Sequence, residues 1–295
     1  MIVNLGFIPL QSLLRKEHEM RITNSLTARA PCLALAFVFL ACSSSATAQS
    51  NQPPADNGYI EGAVLWQQSS GERRALSYQA FALARMMLDR DLRMNRRLRK
   101  PRAVIVDLDE TILDNGLNEG MQVRNHVNFN QKDWTSWVNR AEATAIPGSV
   151  EFLNYVATRG VTVFYITNRN DIQKQGTAMN LKKLGFPNVN DQTLMIQTDL
   201  SNSSKEPRRQ SVSAKYRIVL LMGDDLNDFA QVFEDSTTVD SRIAVADQFK
   251  NEFGKRFILL PNAMYGNWES AIYGNNFKLS EEEKAAKRKN QLKSY

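Results

Sequence analysis

Cysteine is nearly absent from this 295-residue chain, with only Cys32 and Cys42, both within the first fifty residues. Whatever folds beyond them holds no disulfide and no thiol nucleophile. Histidine is equally scarce: after His18 only His126 remains. A zinc centre built from histidines is therefore excluded, and His126 reads as a surface or helix-cap residue. The apolar run at 33–41 falls well short of the roughly 20 residues that a membrane-spanning helix needs. No basic stretch is interleaved with aromatic residues, which argues against nucleic acid as a partner. No internal repeat is visible.

What is present is ordinary in bulk. Hydrophobic and charged fractions of 43% and 23% suit a globular chain with a sizeable core. The formal net charge of +6 is diffuse, and the basic clusters at 93–102 and 284–293 read as solvated faces.

Residues 1–48 read as a leader rather than fold. Arg21 and Arg29 precede the apolar run and small residues follow it, the layout of a secretory signal, for which Met20 is a better start than Met1. Two exits are open. Phe39-Leu40-Ala41-Cys42 resembles a bacterial lipobox, in which Cys42 becomes a lipidated first residue that anchors the chain to a membrane. Ala46-Thr47-Ala48 is an A-x-A site for plain secretion. Either exit places the mature protein in the bacterial cell envelope or beyond it, as an outer-membrane lipoprotein or in the periplasm or medium. Residues 49–58 form a polar, Pro-containing tether, and residues 59–295 the folded domain.

The domain is organised around residues 102–115, R-A-V-I-V-D-L-D-E-T-I-L-D-N. The β-branched run at 103–106 predicts a strand buried on both faces, of the parallel-sheet type. It ends in acid, with Asp107 and Asp109 two residues apart and Thr111 two further on. In open α/β sheets, ligands bind beyond the carboxyl ends of strands. Two adjacent anions repel unless a cation neutralises them or one keeps a proton. The pair therefore suggests a metal ion, with one carboxylate as nucleophile and the other carrying a proton. A polar turn is the plainer alternative.

Apolar positions at helical spacing predict an amphipathic helix over 71–95, with Tyr78 and Phe81 as core residues. The insert at about 116–146 lacks strand periodicity and reads as a small, mainly helical lid, in which Trp134 and Trp137 are packing residues. Helices are expected over 147–159 and 172–184, each closed by a glycine, and from the Ser280/Glu283 capping box onward. Strands are expected at 161–166, 193–197, 217–222 and 256–260. Alternation of strand and helix implies a parallel sheet with right-handed crossovers.

The predicted strand ends form a chemical set. Thr167 follows the second strand and Asp224 and Asp228 the fourth, the latter two a helical turn apart if they open a helix. Lys205 lies in a polar loop, with Lys182 or Lys183 as competitors for its place. Carboxylates, a hydroxyl and an ammonium together would hold a hard cation and a phosphate.

D-L-D-E-T-I-L-D-N, Y-I-T-N-R, the S-S-K stretch and L-M-G-D-D-L-N-D-F together resemble the haloacid-dehalogenase superfamily of phosphohydrolases. More narrowly the chain is similar to the class C acid phosphatases, the bacterial surface-lipoprotein 5′-nucleotidases, from about Trp66 to P-N-A-x-Y-G-x-W-E at 261–269. The resemblance implies a Rossmannoid five-stranded parallel sheet flanked by helices, with a small helical cap. It also implies Mg²⁺-dependent hydrolysis of phosphomonoesters, including nucleoside monophosphates and nicotinamide mononucleotide. Asp107 would be the nucleophile and Asp109 the acid and then base, favouring mildly acidic pH. Thr167, Asn168 and Lys205 would hold the phosphoryl group. Mg²⁺ would be bound by Asp107, the Asp109 carbonyl, Asp224 and Asp228, and Tyr265 would stack on the base. Two departures stand out: Asp225 replaces the usual Asn, and Gly116-Leu117-Asn118 stands where a Tyr is expected. A phosphotransferase on the same scaffold, a surface binding or uptake protein, and a homodimer are the other readings left open.

Overall fold

The computed structural model describes residues 57–94 and 99–295. The expected leader, with the proposed acylation site Cys42, and residues 49–56 of the expected tether lie outside the described residues. Asn57 and Gly58, assigned to the tether from sequence, belong to the folded part. Asn57 is buried and its side-chain amide donates to the Val127 carbonyl, while Gly58 begins a 3₁₀ turn.

The chain then forms helices α1 (Glu61–Ser69) and α2 (Gly71–Met94) and strand β1 (Arg102–Val106). An insert follows: β2 (Leu113–Asp114), helices α3 (Gly116–Asn125) and α4 (Gln131–Arg140), and β3 (Thr144–Ala145), which pairs antiparallel with β2 and ties the two ends together. Next come α5 (Ser149–Thr158), β4 (Thr162–Asn170), α6 (Asp171–Lys183), β5 (Leu194–Gln197), α7 (Glu206–Lys215) and β6 (Arg217–Gly223). The described chain closes with α8 (Gln231–Glu234), α9 (Val239–Gln248), β7 (Phe257–Leu259), α10 (Asn267–Ser270) and α11 (Glu281–Gln291).

Five strands make one parallel sheet in the order β5-β4-β1-β6-β7. Its centre is apolar on both faces, and period-two alternation divides it between two cores. Val104 and Val106 face a cluster that includes Phe81, Ala84 and Leu88 of α2 with Phe152 and Leu153 of α5. Ala103 and Ile105 face the other cluster, with Val212 of α7, Phe229 and Phe233. Each such side chain fully buried contributes about 1.5–3 kcal/mol, so a sheet covered on both sides is strongly favoured.

The buried stripe of α2 is Arg73, Ser77, Phe81, Ala84 and Leu88. Tyr78, expected in the core, is instead about half exposed, because it lies one position off that stripe. Helices α7 and α9, which sequence periodicity did not reveal, supply the crossovers on either side of β6. Helix α4 of the insert packs on α6. Gly176 makes this possible, since a Cβ there would lie 2.7 Å from the Asn139 Cα. His126 caps α3 in the left-handed conformation, exposed.

Candidate active site

The strand order brings the carboxyl ends of β1, β4 and β6 side by side, with Val106 in register with Tyr165 and Met222. Asp107 continues the ladder, its amide donating to the Met222 carbonyl at 2.9 Å. Asp107, Asp224 and Asp228 each offer a carboxylate oxygen, and these oxygens all lie within 4.8 Å of one another. Lys205, at the N-cap of α7, sends its ammonium into this cluster. It donates to Asp107 and, at 2.6 Å, to Asp228 Oδ1. Lys183 is placed elsewhere, its Nζ 3.4 Å from the Ala141 carbonyl. The Thr111 hydroxyl lies 3.2 Å from Asp224 Oδ1 and 3.4 Å from Asp107 Oδ2, and Asn262 Nδ2 donates to Asp224 Oδ2 at 2.8 Å.

Asp224 and Asp228 do not open an α-helix. Asp225 is the cap of a 3₁₀ turn, Leu226–Asp228; its side chain accepts from the Asn227 amide, and Asp228 returns to accept from the Asp225 amide. Gly223 permits this fold-back, because a Cβ there would overlap the Asp228 carboxylate. Phe229 anchors the turn from below, its ring stacked 4.9 Å from that of Phe257. The Asp225 charge is answered by Arg242 at 3.1 Å and by the Asn267 amide at 2.7 Å.

Once ionised, three carboxylates outnumber the one ammonium at this site. Hard oxygen donors in that arrangement fit a divalent cation. Burial first, and the neighbouring Asp228 and Asp109, push Asp107 up to about 7 against the opposing pull of Lys205. Burial, Asp228 and Asp107 likewise hold Asp224 well above the carboxylate range. Burial disfavours the Lys205 ammonium, yet the two carboxylates beside it outweigh that and keep it charged. A carboxyl whose pKa is higher folded than unfolded carries the extra proton in the folded state, so stability falls as pH rises through the window between the two values. Without added metal, thermal stability should therefore decline from about pH 4 to about pH 7. Mg²⁺ at roughly a hundred times its dissociation constant should restore about 2.7 kcal/mol at neutral pH, or roughly 5–10 °C, and little at pH 4. Melting curves with Mg²⁺ or a chelator measure this, and a pH-independent Mg²⁺ response would contradict it.

Asp109 is held differently. Arg169, almost fully buried, reaches its Oδ1 from Nη2 at 2.6 Å and both oxygens from Nε at 3.1 and 3.2 Å, and Asn115 Nδ2 donates to Oδ1 at 2.9 Å. The Asn115 side-chain Oδ1 in turn accepts from Trp137 Nε1 at 2.9 Å, linking the insert to Asp109. Trp134 lies under the Arg169 guanidinium, 5.5 Å from its ring centre, and lines a cavity rather than only packing. Between Asp109 and this network, Glu110 adopts the left-handed region (φ 55°), and its buried carboxylate accepts from the Asn115 amide at 2.8 Å.

A cleft of about 840 Å³ is lined by Asp107, Asp109, Asn168, Lys205, Asp224, Asp228 and Tyr265. Thr167 is not part of its wall: it is fully buried and its hydroxyl oxygen accepts from the Arg169 amide at 3.1 Å. Arg208 fixes this strand end, donating to the Thr167 carbonyl at 2.5 Å, to Asn168 Oδ1 at 2.7 Å and to the Ser204 carbonyl at 3.1 Å. A second cavity of about 350 Å³ adjoins the cleft, sharing Asp109, Phe129, Asn168 and Tyr265 with it. Sequence reasoning assigned no role to Arg169, Arg208, Asn262 or Glu119. Arg169 and Asn262 lie inside motifs it quoted, whereas nothing local marks Arg208 or Glu119.

The family model described as HAD superfamily, subfamily IIIB (Acid phosphatase) matches residues 34–268. Two crystal structures of the class C acid phosphatase from Bacillus anthracis, one with tungstate bound, are 39% identical to this chain at a TM-score of 0.77. Each alignment covers 81% of this chain and 98% of the other. The stem 31 kDa glycoprotein of Glycine max (28% identical over 129 residues) and acid phosphatase 1 of Solanum lycopersicum (29% over 133) each align with 42% of this chain. The chain spans half the length of these curated relatives. Sheet order, the clustered acids at its edge and a match over most of the sequence thus agree, and the chain belongs to the acid phosphatase family of the HAD superfamily, subfamily IIIB.

Proposed function

We propose that the protein hydrolyses phosphomonoesters through a covalent phosphoaspartate, with nucleoside monophosphates, nicotinamide mononucleotide among them, as substrates. The observation that carries this is the meeting of Asp107, Asp224 and Asp228 within 4.8 Å beside the Lys205 ammonium. Asp107 attacks phosphorus as the bond to the leaving oxygen breaks, and Asp109 gives that oxygen a proton. Water then attacks the acyl phosphate, Asp109 takes its proton, and Asp107 is regenerated. To serve the leaving oxygen, Asp109 turns away from Arg169 and Asn115, which hold it in the structure. Lys205 and Asn168 bind phosphoryl oxygens from the cleft wall, and Thr167, buried behind that wall, would join them only if its side chain rotated into the cleft. Mg²⁺ bound by Asp107, the Asp109 carbonyl, Asp224 and Asp228 would supply positive charge opposite the transferring phosphoryl oxygens. The tungstate in the Bacillus anthracis relative, a tetrahedral oxyanion like phosphate, is in keeping with this reading.

The neighbouring cavity supports an aromatic leaving group. Phe129, Trp134 and Tyr265 line it, and base–aromatic stacking is worth about 1–3 kcal/mol. The insert of α3 and α4 acts as the cap over this end of the site. Phosphate release from a panel of nucleotides and from p-nitrophenyl phosphate, with Mg²⁺ and with a chelator, tests the activity. Tyr265→Ala should cost nucleotide hydrolysis roughly tenfold in kcat/KM and spare the aryl ester; an equal loss would exclude stacking on Tyr265. From sequence we also infer export to the cell envelope with Cys42 acylated. Fatty-acid labelling of wild type and Cys42→Ser separates this from plain secretion.

A further inference from the structure

Glu119 is a buried carboxylate for which the proposed chemistry has no use. It stands in the first turn of α3, where Asn118 Nδ2 at 3.0 Å and Gln122 Nε2 at 3.1 Å both donate to its Oε1. Its Oε2 accepts no hydrogen bond from any described residue. The side chain forms part of the wall of the second cavity, together with Phe129, Trp134 and Tyr265. That cavity adjoins the cleft at Asp109, the residue to which the proposed chemistry assigns the leaving oxygen, so it lies on the leaving-group side of the site.

Burial raises the Glu119 carboxyl above its ordinary range, the two amide donors opposing. A ligand that filled the cavity would displace the remaining water from Oε2, and a carboxylate oxygen stripped of water without a replacement donor is costly. A bare aromatic ring offers no such donor. A nucleoside does, through a sugar hydroxyl or a ring N–H. Aromatic faces do not reject a ring for lacking a donor, so that part of the discrimination falls to the unsatisfied carboxylate oxygen.

We propose that Glu119 is a specificity-determining residue whose Oε2 accepts a hydrogen bond from the leaving group, selecting phosphomonoesters of donor-bearing aromatic alcohols such as nucleosides over those of bare aryl alcohols. The assignment rests on the phosphohydrolase reading above.

The test compares full-length wild type and Glu119→Gln, with kcat and KM measured for a nucleoside 5′-monophosphate and for p-nitrophenyl phosphate. Gln keeps the size of Glu and can still accept from Asn118 and Gln122, but turns an amide NH₂ toward the substrate. The nucleotide kcat/KM should fall about tenfold to a hundredfold, mainly through KM, while the aryl ester changes by less than about twofold. An equal loss for both substrates, as a purely structural role would give, overturns the assignment, and so does an unchanged nucleotide constant. If wild type releases phosphate from neither ester, the phosphohydrolase reading itself fails; if it turns over the aryl ester and Glu119→Gln shows no selective loss, only the Glu119 assignment fails.

Discussion

Asp107→Asn is expected to lower phosphate release by on the order of 10⁴–10⁶, the scale on which removal of a covalent nucleophile acts. Asn has the shape of Asp and fits the same end of β1, but its amide oxygen is neither anionic nor able to form the acyl phosphate. The fold should survive. Asp107 is buried against Asp228 and Asp109 as well as Lys205, so neutralising it removes repulsion along with one ion pair, and Lys205 keeps Asp228. Two measurements check this. Rapid acid quench with radiolabelled substrate should trap a protein-bound phosphate in wild type and none in the variant, and the variant should melt within a few degrees of wild type. A variant that kept a tenth of wild-type turnover would show that Asp107 is not the nucleophile, whatever the sequence resemblance.

Lys205→Met should damage both activity and stability. The ammonium is almost fully buried between Asp107 and Asp228. Replacing it by an apolar chain of similar length leaves two carboxylates facing each other without their cation, and breaking one side of a buried ion pair costs about 3–5 kcal/mol. Loss of a cation that faces transferring phosphoryl oxygens adds roughly 10²–10³ in rate. Urea denaturation in a chelator measures the first effect. Mg²⁺ should recover part of it, since a second cation meets the same carboxylates. Adding Asp107→Asn to Lys205→Met should restore part of the stability without restoring activity, because one of the two facing charges is gone, Asp228 still lacks its cation, and the nucleophile is missing. Equal stability of wild type and Lys205→Met in chelator would mean that the ion pair contributes nothing net.

Much of the fold was legible in the chain. The β-branched run at β1 and the apolar runs at β4 and β6 announce a covered parallel sheet, and Pro, Gly and capping residues mark several helix ends. Helices α7 and α9 were hidden for a physical reason: α7 buries only Arg209 and Val212, and α9 only Arg242, so neither carries a clear apolar stripe. The β2–β3 pair was equally hidden, because two-residue strands are set by the path of the insert rather than by local propensity. At the site, motif spacing named the acids on β1 and after β6. It left the local form after β6 open, and there Gly223 and the Asp225 cap fold the chain into a 3₁₀ turn, tighter than an α-helix.

The amino-acid sequence by itself determined the kind of chemistry available. With its two cysteines at 32 and 42 and a single histidine, His126, after position 50, the chain has mainly carboxylates, hydroxyls and amines with which to act, and it places them after buried strands. Tertiary structure decided which of them meet. Strand order sets Asp107 beside Asp224 and Asp228, the start of α7 drives Lys205 between them, the end of β4 brings Arg169 to Asp109, and the packed insert brings Glu119 to the neighbouring cavity. Those juxtapositions join residues up to more than a hundred positions apart. They follow from the burial of two apolar cores, which no local pattern of residues encodes.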